Sequence, residues 1–411
     1  MDVPAVTGAI LYDMNLALGL VASPEKAGQD MFRTWLLPPP RAPRNEKVIV
    51  IDAGGTNFRS CLVSFDAGGA VSVSDFRRTD MPGVGRELSR DEFFSRIADN
   101  IDYLKDRAAR IGFCFSYAMR ITKDGDGIPT ALSKEIKAPG VLGVPVGRTL
   151  AAELARRGWR NVEKVTLLND TVSALLSGAG ALASRQFSSY IGFILGTGMN
   201  AAYIQPGAGG DAGVERQIIV CEAGKCDKIP LSDFDRSLDG KTSVPGQYPL
   251  EKGCSGAYLG KLCLEMLLAA ADDGILSKPA AERVARLSDL PLVEVDSFLR
   301  DPFRPGAVGG LCGDDGDRRK IYELFDCAID RTARYAAAIL CAAAIQSGEG
   351  ESPLRPVCIV ANGTTFHKTR GLRSRVEAYL RRFLTDGRGV HFEVVSVEND
   401  IAVGTAVAGL M

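Results

Sequence analysis

Two short segments constrain this chain more than anything else in it. Val48-Ile49-Val50-Ile51 is an unbroken apolar run that stops at Asp52 and a pair of glycines, and Ser60 to Phe65 then reads as a returning strand. Tyr190 to Leu195 repeats the design: an apolar run is broken by Gly196-Thr197-Gly198 and resumes as strand from Asn200 to Ile204. Continuous apolar runs of this length suit strands buried on both faces, and a glycine turn between two of them returns the chain antiparallel. Gly196 to Ala201 also fits the dinucleotide pattern GxGxxA. That pattern needs a helix to follow, and Ala201-Ala202-Tyr203-Ile204 reads as strand, so a Rossmann site is set aside. Each unit is suited to opening a domain. Long helical stretches accompany them, at Arg148 to Arg157, Ser255 to Ala271, Tyr322 to Ile345 and Leu372 to Leu384, and the mixture predicts an α/β protein of two lobes.

Residues 7–37 read as helical, because Ile10, Leu11, Met14 and Leu18, then Met31, Phe32 and Leu36, recur at helical spacing. Pro38, Pro39, Pro40 and Pro43 end that helix and make a stiff connector. Pro206 to Gly213 and Pro305 to Asp317 read as surface loops. The 411 residues are 46% hydrophobic and 24% charged, enough to bury a large core. Lys plus Arg is 49 against 50 for Asp plus Glu, so nothing in the balance points to nucleic acid as a partner. Asp13 and Asn15 interrupt the first apolar stretch, which argues against a signal peptide. The alanine-rich run Tyr335 to Ile345 is too short to span a bilayer, so no membrane partner is expected. Ten cysteines are dispersed, and Cys221 with Cys226 lacks a second pair or a histidine cluster to complete a zinc site. They are expected to be reduced thiols in a cytoplasmic protein. Asp235 to Thr242 ends like a Walker A loop, but no apolar strand precedes it and it is read as coincidence.

Backbone amides in the turn of IDAGGTNFR (Ile51–Arg59) can approach phosphate oxygens closely. The carboxylate of Asp52 beside them can hold magnesium or its waters. A plain hairpin turn with an acidic residue is the alternative. Asn169-Asp170 precedes a predicted helix over Thr171 to Leu182, where the helix terminus favours an ionised Asp170. An Asn-Asp helix cap accounts for the same pair. A third turn, Val360 to Thr369, follows another apolar strand, and Gly363 with Thr364 leaves room for a flat ring.

Taken in order, these segments resemble the hexokinase family. IDAGGTNFR resembles its first phosphate motif, with Met31 to Pro38 similar to the lead-in upstream. IGFCFSYAMR (Ile111–Arg120) and LSKEIKAPGVLG (Leu132–Gly143) resemble its two sugar segments. VTLLNDTVSALLSG (Val165–Gly178) resembles the Asn-Asp-Thr-Val core, and IGFILGTGMNAAYI the second phosphate motif. EKGCSGAYLG (Glu251–Gly260) and Val360 to Thr369 resemble the later segments, the last being the adenosine motif.

The resemblance implies a two-lobed actin-like ATPase (ribonuclease H-like) fold of hexokinase type, with a cleft between lobes. Its small lobe would hold residues 46–168, with the C-terminal helix 399–411 packed on it; residues 1–45 and 169–398 would form the large lobe. It implies an ATP-dependent hexokinase or glucokinase of glycolysis that phosphorylates a D-hexose, glucose foremost, at the 6-hydroxyl. Asp170 would be the general base and Lys134 a second catalytic group. Ser116, Ser133, Lys134, Asn169, Asp170, Asn200, Glu222 and Glu251 would bind the sugar. Gly54, Gly55, Thr56 and Asn57 would form one phosphate wall; Gly196, Thr197 and Gly198 would form the other. Gly363 and Thr364 would face the adenosine. Asp52 would meet Mg2+ through water, and Arg59 would hold its turn. The partners implied are a hexose and ATP, in a monomer or homodimer. Four departures from the family pattern are Ala118 for Pro, Ser133 for Thr, Ala223 for Trp, and Asp400-Ile401-Ala402 for Gly-Ser-Gly. A sugar sensor without turnover would lack the base or a phosphate turn, and a sugar-independent ATPase would lack the sugar segments around Ser116 and Lys134.

Overall fold

The computed structural model describes residues 1–132, 136–182, 185–207 and 215–411. Its strands are β1 (Phe32–Arg33), β2 (Glu46–Gly54), β3 (Asn57–Phe65), β4 (Val71–Asp80), β5 (Arg110–Phe115), β6 (Met119–Ile121) and β7 (Gly127–Pro129). They continue with β8 (Lys164–Leu168), β9 (Ser189–Leu195), β10 (Met199–Gln205), β11 (Gln217–Val220), β12 (Val357–Asn362) and β13 (Phe392–Val395). One sheet has the order β4-β3-β2-β5-β8, the other β1-β11-β10-β9-β12-β13, and β6 with β7 forms a ribbon.

Both sheets are built on the same unit. β2 pairs antiparallel with β3 and parallel with β5; β9 pairs antiparallel with β10 and parallel with β12. Val48 to Ile51 are almost fully buried, as an apolar run covered on both faces must be.

Two helices lie between the sheets. Asp170–Ala181 packs on β9 and β12, Asp400–Gly409 packs on β2, β5 and β8, and the two run against each other. Their approach is close enough to exclude side chains. A Cβ on Gly112 of β5 would overlap the Thr405 carbonyl, one on Gly404 the Ser173 carbonyl, and one on Gly192 of β9 the Thr171 carbonyl. Backbone therefore touches backbone from one sheet to the other, and the hydroxyls of Ser173 and Thr405 meet at 3.0 Å inside the stack.

The expected helix over residues 7–37 is half right. A helix spans Val3–Leu18 and stops where Gly19 adopts a left-handed φ of 72°. The chain then folds back, and the Asp13 carboxylate accepts the backbone N–H groups of Gly28 and Gln29 at 2.8 and 2.9 Å. Phe32 and Arg33 are strand, paired with Val220 and Ile219. Their apolar neighbours serve an edge strand and not a helix face, because pairing with β11 satisfies the backbone there.

The other helices are near their expected places: Val146–Arg156, Leu259–Asp272 and Leu372–Leu380, the last widening into a π turn over Arg381–Thr385. The longest, Asp315–Ser347, begins inside the stretch read as a loop, because Asp314 caps it by accepting the Asp317 N–H at 2.8 Å. Of the other expected loop, Pro206 to Gly213, residues 208–213 lie outside the described residues. The Walker-like segment is mostly helix, Asp233–Gly240. The ten cysteines are all free thiols. Among the described residues no helix is long and apolar enough to cross a membrane.

Candidate active site

β2, β5 and β8 run parallel, so their C-terminal ends open on one side, where ligands gather in such sheets. Asp52, Cys114 and Leu168 share one rung of the sheet, and Asn169-Asp170 follows directly. Asn169 caps the helix that begins at Asp170: its Oδ1 accepts the Thr171 N–H at 2.9 Å and the Thr171 hydroxyl at 2.6 Å. The cap reading of this pair thus holds for Asn169. Asp170 is in the first turn, with Oδ1 accepting the Thr171 N–H at 2.8 Å.

Register leaves Gly55-Thr56 as a two-residue turn between Gly54 and Asn57, with Gly55 at a φ of 57°. The turn is exposed, yet its carbonyls are tied down: Tyr117 Oη donates to Gly55 O at 2.9 Å and the Met81 N–H to Thr56 O at 3.0 Å. Arg78 donates to Asn57 Oδ1 at 2.8 Å. Arg59, opposite Asp52 in the ladder, pairs with its carboxylate at 2.7 Å. Ser116 follows β5, its N–H bonded to Ala53 O at 3.0 Å, and a Cβ on Gly54 would press on it.

The second turn, Gly196 to Gly198, is enclosed by two distant segments. Gly196 O accepts the Gly256 N–H at 2.8 Å and the Thr365 hydroxyl at 2.9 Å; Thr197 O accepts the Ala257 N–H at 3.1 Å. Gly363, at a φ of 119°, lies so close that a Cβ would overlap the Leu195 carbonyl. These segments bound a cavity of about 420 Å³, whose far wall is Leu292, Val293, Asp296 and Lys368. Thr364, which lines that cavity, also lines with Gly363 a second cavity of about 430 Å³ beside Asn362 and Asp400. The Leu292 to Asp296 wall was missed from sequence, where no local signal marks it; Val293, 68% exposed, joins the cavity only through the fold.

Asn200, Glu222 and Glu251 come together beside this turn. Asn200 Nδ2 donates to Glu222 Oε1 at 3.1 Å, and Glu251 Oε2 accepts the Met199 N–H at 3.0 Å. Glu222 has a φ of 40°, a conformation that is costly for a residue with a side chain and often found at functional sites. Ser133 and Lys134 lie outside the described residues.

The acids feel one another. Asp170 is pushed up to about 7, first by loss of hydration and further by Asp52 and Glu222, against the pull of the Thr171 N–H. Burial also raises Asp52, with Arg59 opposing, and raises Glu222 and Glu251. The Cys114 thiol, buried between Asp52 and Asp170, is held well above its ordinary value by burial and then by those two charges. Among the described residues no three histidine, cysteine or carboxylate groups converge on one point, so no cation cage is built from protein alone. The oxygen donor of Asp52 beside the exposed turn suits a magnesium ion that arrives on a polyphosphate and keeps its waters.

Two sheets on a shared hairpin plan, with acids and glycine turns at their meeting edge, define the two-lobed actin-like class. A hexokinase from Schistosoma mansoni complexed with glucose superposes with a TM-score of 0.77 at 23% identity, over 100% of this chain and 96% of that one. Hexokinase family models match residues 4–180 and 190–411. Hexokinase-1 of Schizosaccharomyces pombe is 26% identical over 97% of this chain and 85% of its own length. Human Hexokinase-2 is 27% identical over 92% of this chain, which spans 43% of that longer protein. The chain belongs to the hexokinase family.

Proposed function

We propose that this chain transfers the γ-phosphoryl group of ATP to the 6-hydroxyl of a D-hexose, glucose foremost, giving hexose 6-phosphate and ADP. The observation that carries this reading is Asp170: a buried carboxylate raised to about 7, coupled to Asp52 beside the first glycine turn and to Glu222. A base of that strength accepts a proton at working pH without holding it too tightly.

The hexose lies against Ser116, Asn169, Asn200, Glu222 and Glu251, with Ser133 and Lys134 completing the set. Asp170 takes the hydroxyl proton as the sugar oxygen bonds to the γ-phosphorus, and the bond to the bridging oxygen of ADP breaks. Gly54 to Asn57 and Gly196 to Gly198 receive the phosphates on their backbone amides, and the cavity beside Gly363, Thr364 and Val293 takes the adenosine. Asp52 is the residue that would hold a magnesium ion through water, which would supply neutralisation of phosphate charge, and Arg59 favours the ionised form of Asp52 and aims it. Residues 46–168 with helix 399–411 move as the small lobe against 1–45 and 169–398, closing on the sugar and expelling water. Of the close backbone contacts of Gly112, Gly404 and Gly192, only that of Gly404 with Ser173 joins the two proposed lobes, which makes the helix pair 170–181 and 400–409 the natural pivot of that closure.

ADP release with Mg-ATP, measured with and without glucose, fructose, mannose and glucosamine, tests the proposal. Hexose-dependent turnover that Asp170→Ala abolishes is expected. Sugar binding with turnover no greater than the variant's would make the chain a sensor, and ADP release indifferent to sugar would make it a plain ATPase.

A further inference from the structure

Lys225 stands at the edge of the sugar-side acids, where sequence reading placed no functional group. It ends the short turn Ala223–Lys225 that follows Glu222. Its Nζ donates to Asp30 Oδ2 at 2.6 Å and lies 3.9 Å from Glu222 Oε2. The same ammonium is 5.9 Å from the ring centre of Phe32 and 5.7 Å from that of Tyr248, within range of cation–π attraction. Asp30 is delivered by the N-terminal segment. Asp13 clamps that segment at Gly28 and Gln29, and Phe32 pairs with Val220, two residues before Glu222. The other Glu222 oxygen receives the Asn200 amide at 3.1 Å. One carboxylate is thus held between a neutral donor and a cation that is itself anchored by a second acid.

We infer that Lys225, fixed by Asp30, is a positioning residue for hexose recognition, holding the Glu222 carboxylate in place as a charged acceptor for a sugar hydroxyl. The inference rests on the reading of Glu222 as a sugar-contacting acid. Its necessity follows from the surroundings. Burial raises Glu222; Lys225 is the leading opposing influence, the Asn200 amide follows, and Asp30 pushes upward again. Among the described residues, the other titratable groups coupled to it are acids or weak acids. Glu251 and Asp170 are both raised by its charge, as is the Cys221 thiol, and Tyr248 acts on Lys225 from the other side. A hydroxyl bonds more strongly to a carboxylate than to a carboxylic acid, and a cation beside an acid crowded by acids favours its ionised form.

A purely structural Lys225 would merely tie the N-terminal segment to β11, and its loss would lower stability without touching the pH dependence of sugar use. The experiment is steady-state kinetics across the acid and neutral range for Lys225→Met, Lys225→Arg, Asp30→Asn, Glu222→Gln and the Lys225→Met/Glu222→Gln double variant, with thermal melts of each. Lys225→Met is expected to raise KM for the hexose about tenfold, leave KM for ATP unchanged and lower kcat far less. A second acid-side loss in kcat/KM for hexose, distinct from the one set by Asp170, should move to higher pH, because losing the cation lets Glu222 protonate earlier. Asp30→Asn frees Lys225 but also removes a charge that opposes Glu222 ionisation, so it should raise KM for the hexose less than Lys225→Met does, and Lys225→Arg should restore wild-type behaviour. Because Lys225 acts through Glu222, Lys225→Met should add little once Glu222 is Gln. A folded Lys225→Met enzyme with wild-type KM and acid-side profile overturns the inference while leaving the kinase reading intact; so does an undiminished effect on the Glu222→Gln background. Wild-type protein with no hexose-dependent turnover overturns the kinase reading, and this inference with it.

Discussion

Asp52 near the end of β2 and Asp170 just past the end of β8 lie on the same side of one parallel set, two strands apart, and their surroundings differ sharply. Asp52 has Arg59 at 2.7 Å across the hairpin. Asp170 has a backbone N–H at 2.8 Å and, among the described residues, no cation in hydrogen-bond contact. Both lose hydration, but only Asp52 is compensated by a guanidinium; Asp170 is pushed further up by Asp52 itself and by Glu222. One local difference, a basic residue across a two-residue turn, separates an acid suited to standing charge from an acid suited to taking a proton. Environments that push neighbouring acids apart in this way are a common means of assigning acid–base roles.

The largest expected break in this contrast is Asp170→Asn. It keeps the shape and removes the base, and kcat should fall about 10³-fold, read by ADP release at saturating hexose. Asp52→Asn should cost about tenfold to a hundredfold, and part of the loss should be recovered by raising magnesium, which no concentration of the ion should do for Asp170→Asn. Gly404→Ala tests the backbone stack that brings the two acids' supports together. A methyl against the Ser173 carbonyl should destabilise the fold by about 3 kcal/mol, seen as a lower denaturant midpoint.

A pH series on the wild-type enzyme sharpens the contrast further. Asp170 must be ionised to act, so kcat/KM should decline as pH falls through about 7, and Arg59→Met should add a second loss on the acid side as Asp52 rises. The smallest effect is on stability. The folded protein holds a proton on Asp170 more tightly than the unfolded chain does, so its contribution is full below the ordinary carboxylate range and is lost as pH rises through about 7. Asp170→Asn should therefore melt higher than wild type in mildly alkaline buffer and lose that advantage in acid.

Much of this was legible in the chain. Both hairpins could be read from apolar runs broken by glycine, because a strand on a two-faced core and the turn that ends it are written in consecutive residues. The motifs around Asp52, Asp170 and Gly196 could be read for the same reason. The segment from Met31 to Leu36 was misread, because an edge strand two residues long has no period of its own and is strand only by pairing with β11. Lys225 left no trace at all; an isolated lysine says nothing until Asp30, nearly two hundred residues away in the chain, is seen beside it.

Local order, then, was largely determined by the sequence alone: where the two central hairpins run, where glycine lets the chain turn, and that a helix starts at Asn169-Asp170. Tertiary structure decided the rest. The contact of Gly112 with Thr405, of Gly404 with Ser173 and of Gly192 with Thr171 joins four separate segments, and the absence of a side chain carries no message about which carbonyl will fill the space. The wall at Leu292 and Val293 and the proton affinity of Asp170 are of the same kind. Desolvation and Coulomb interaction depend on what surrounds a group in space, and that is fixed only once both sheets and the helices between them are in place.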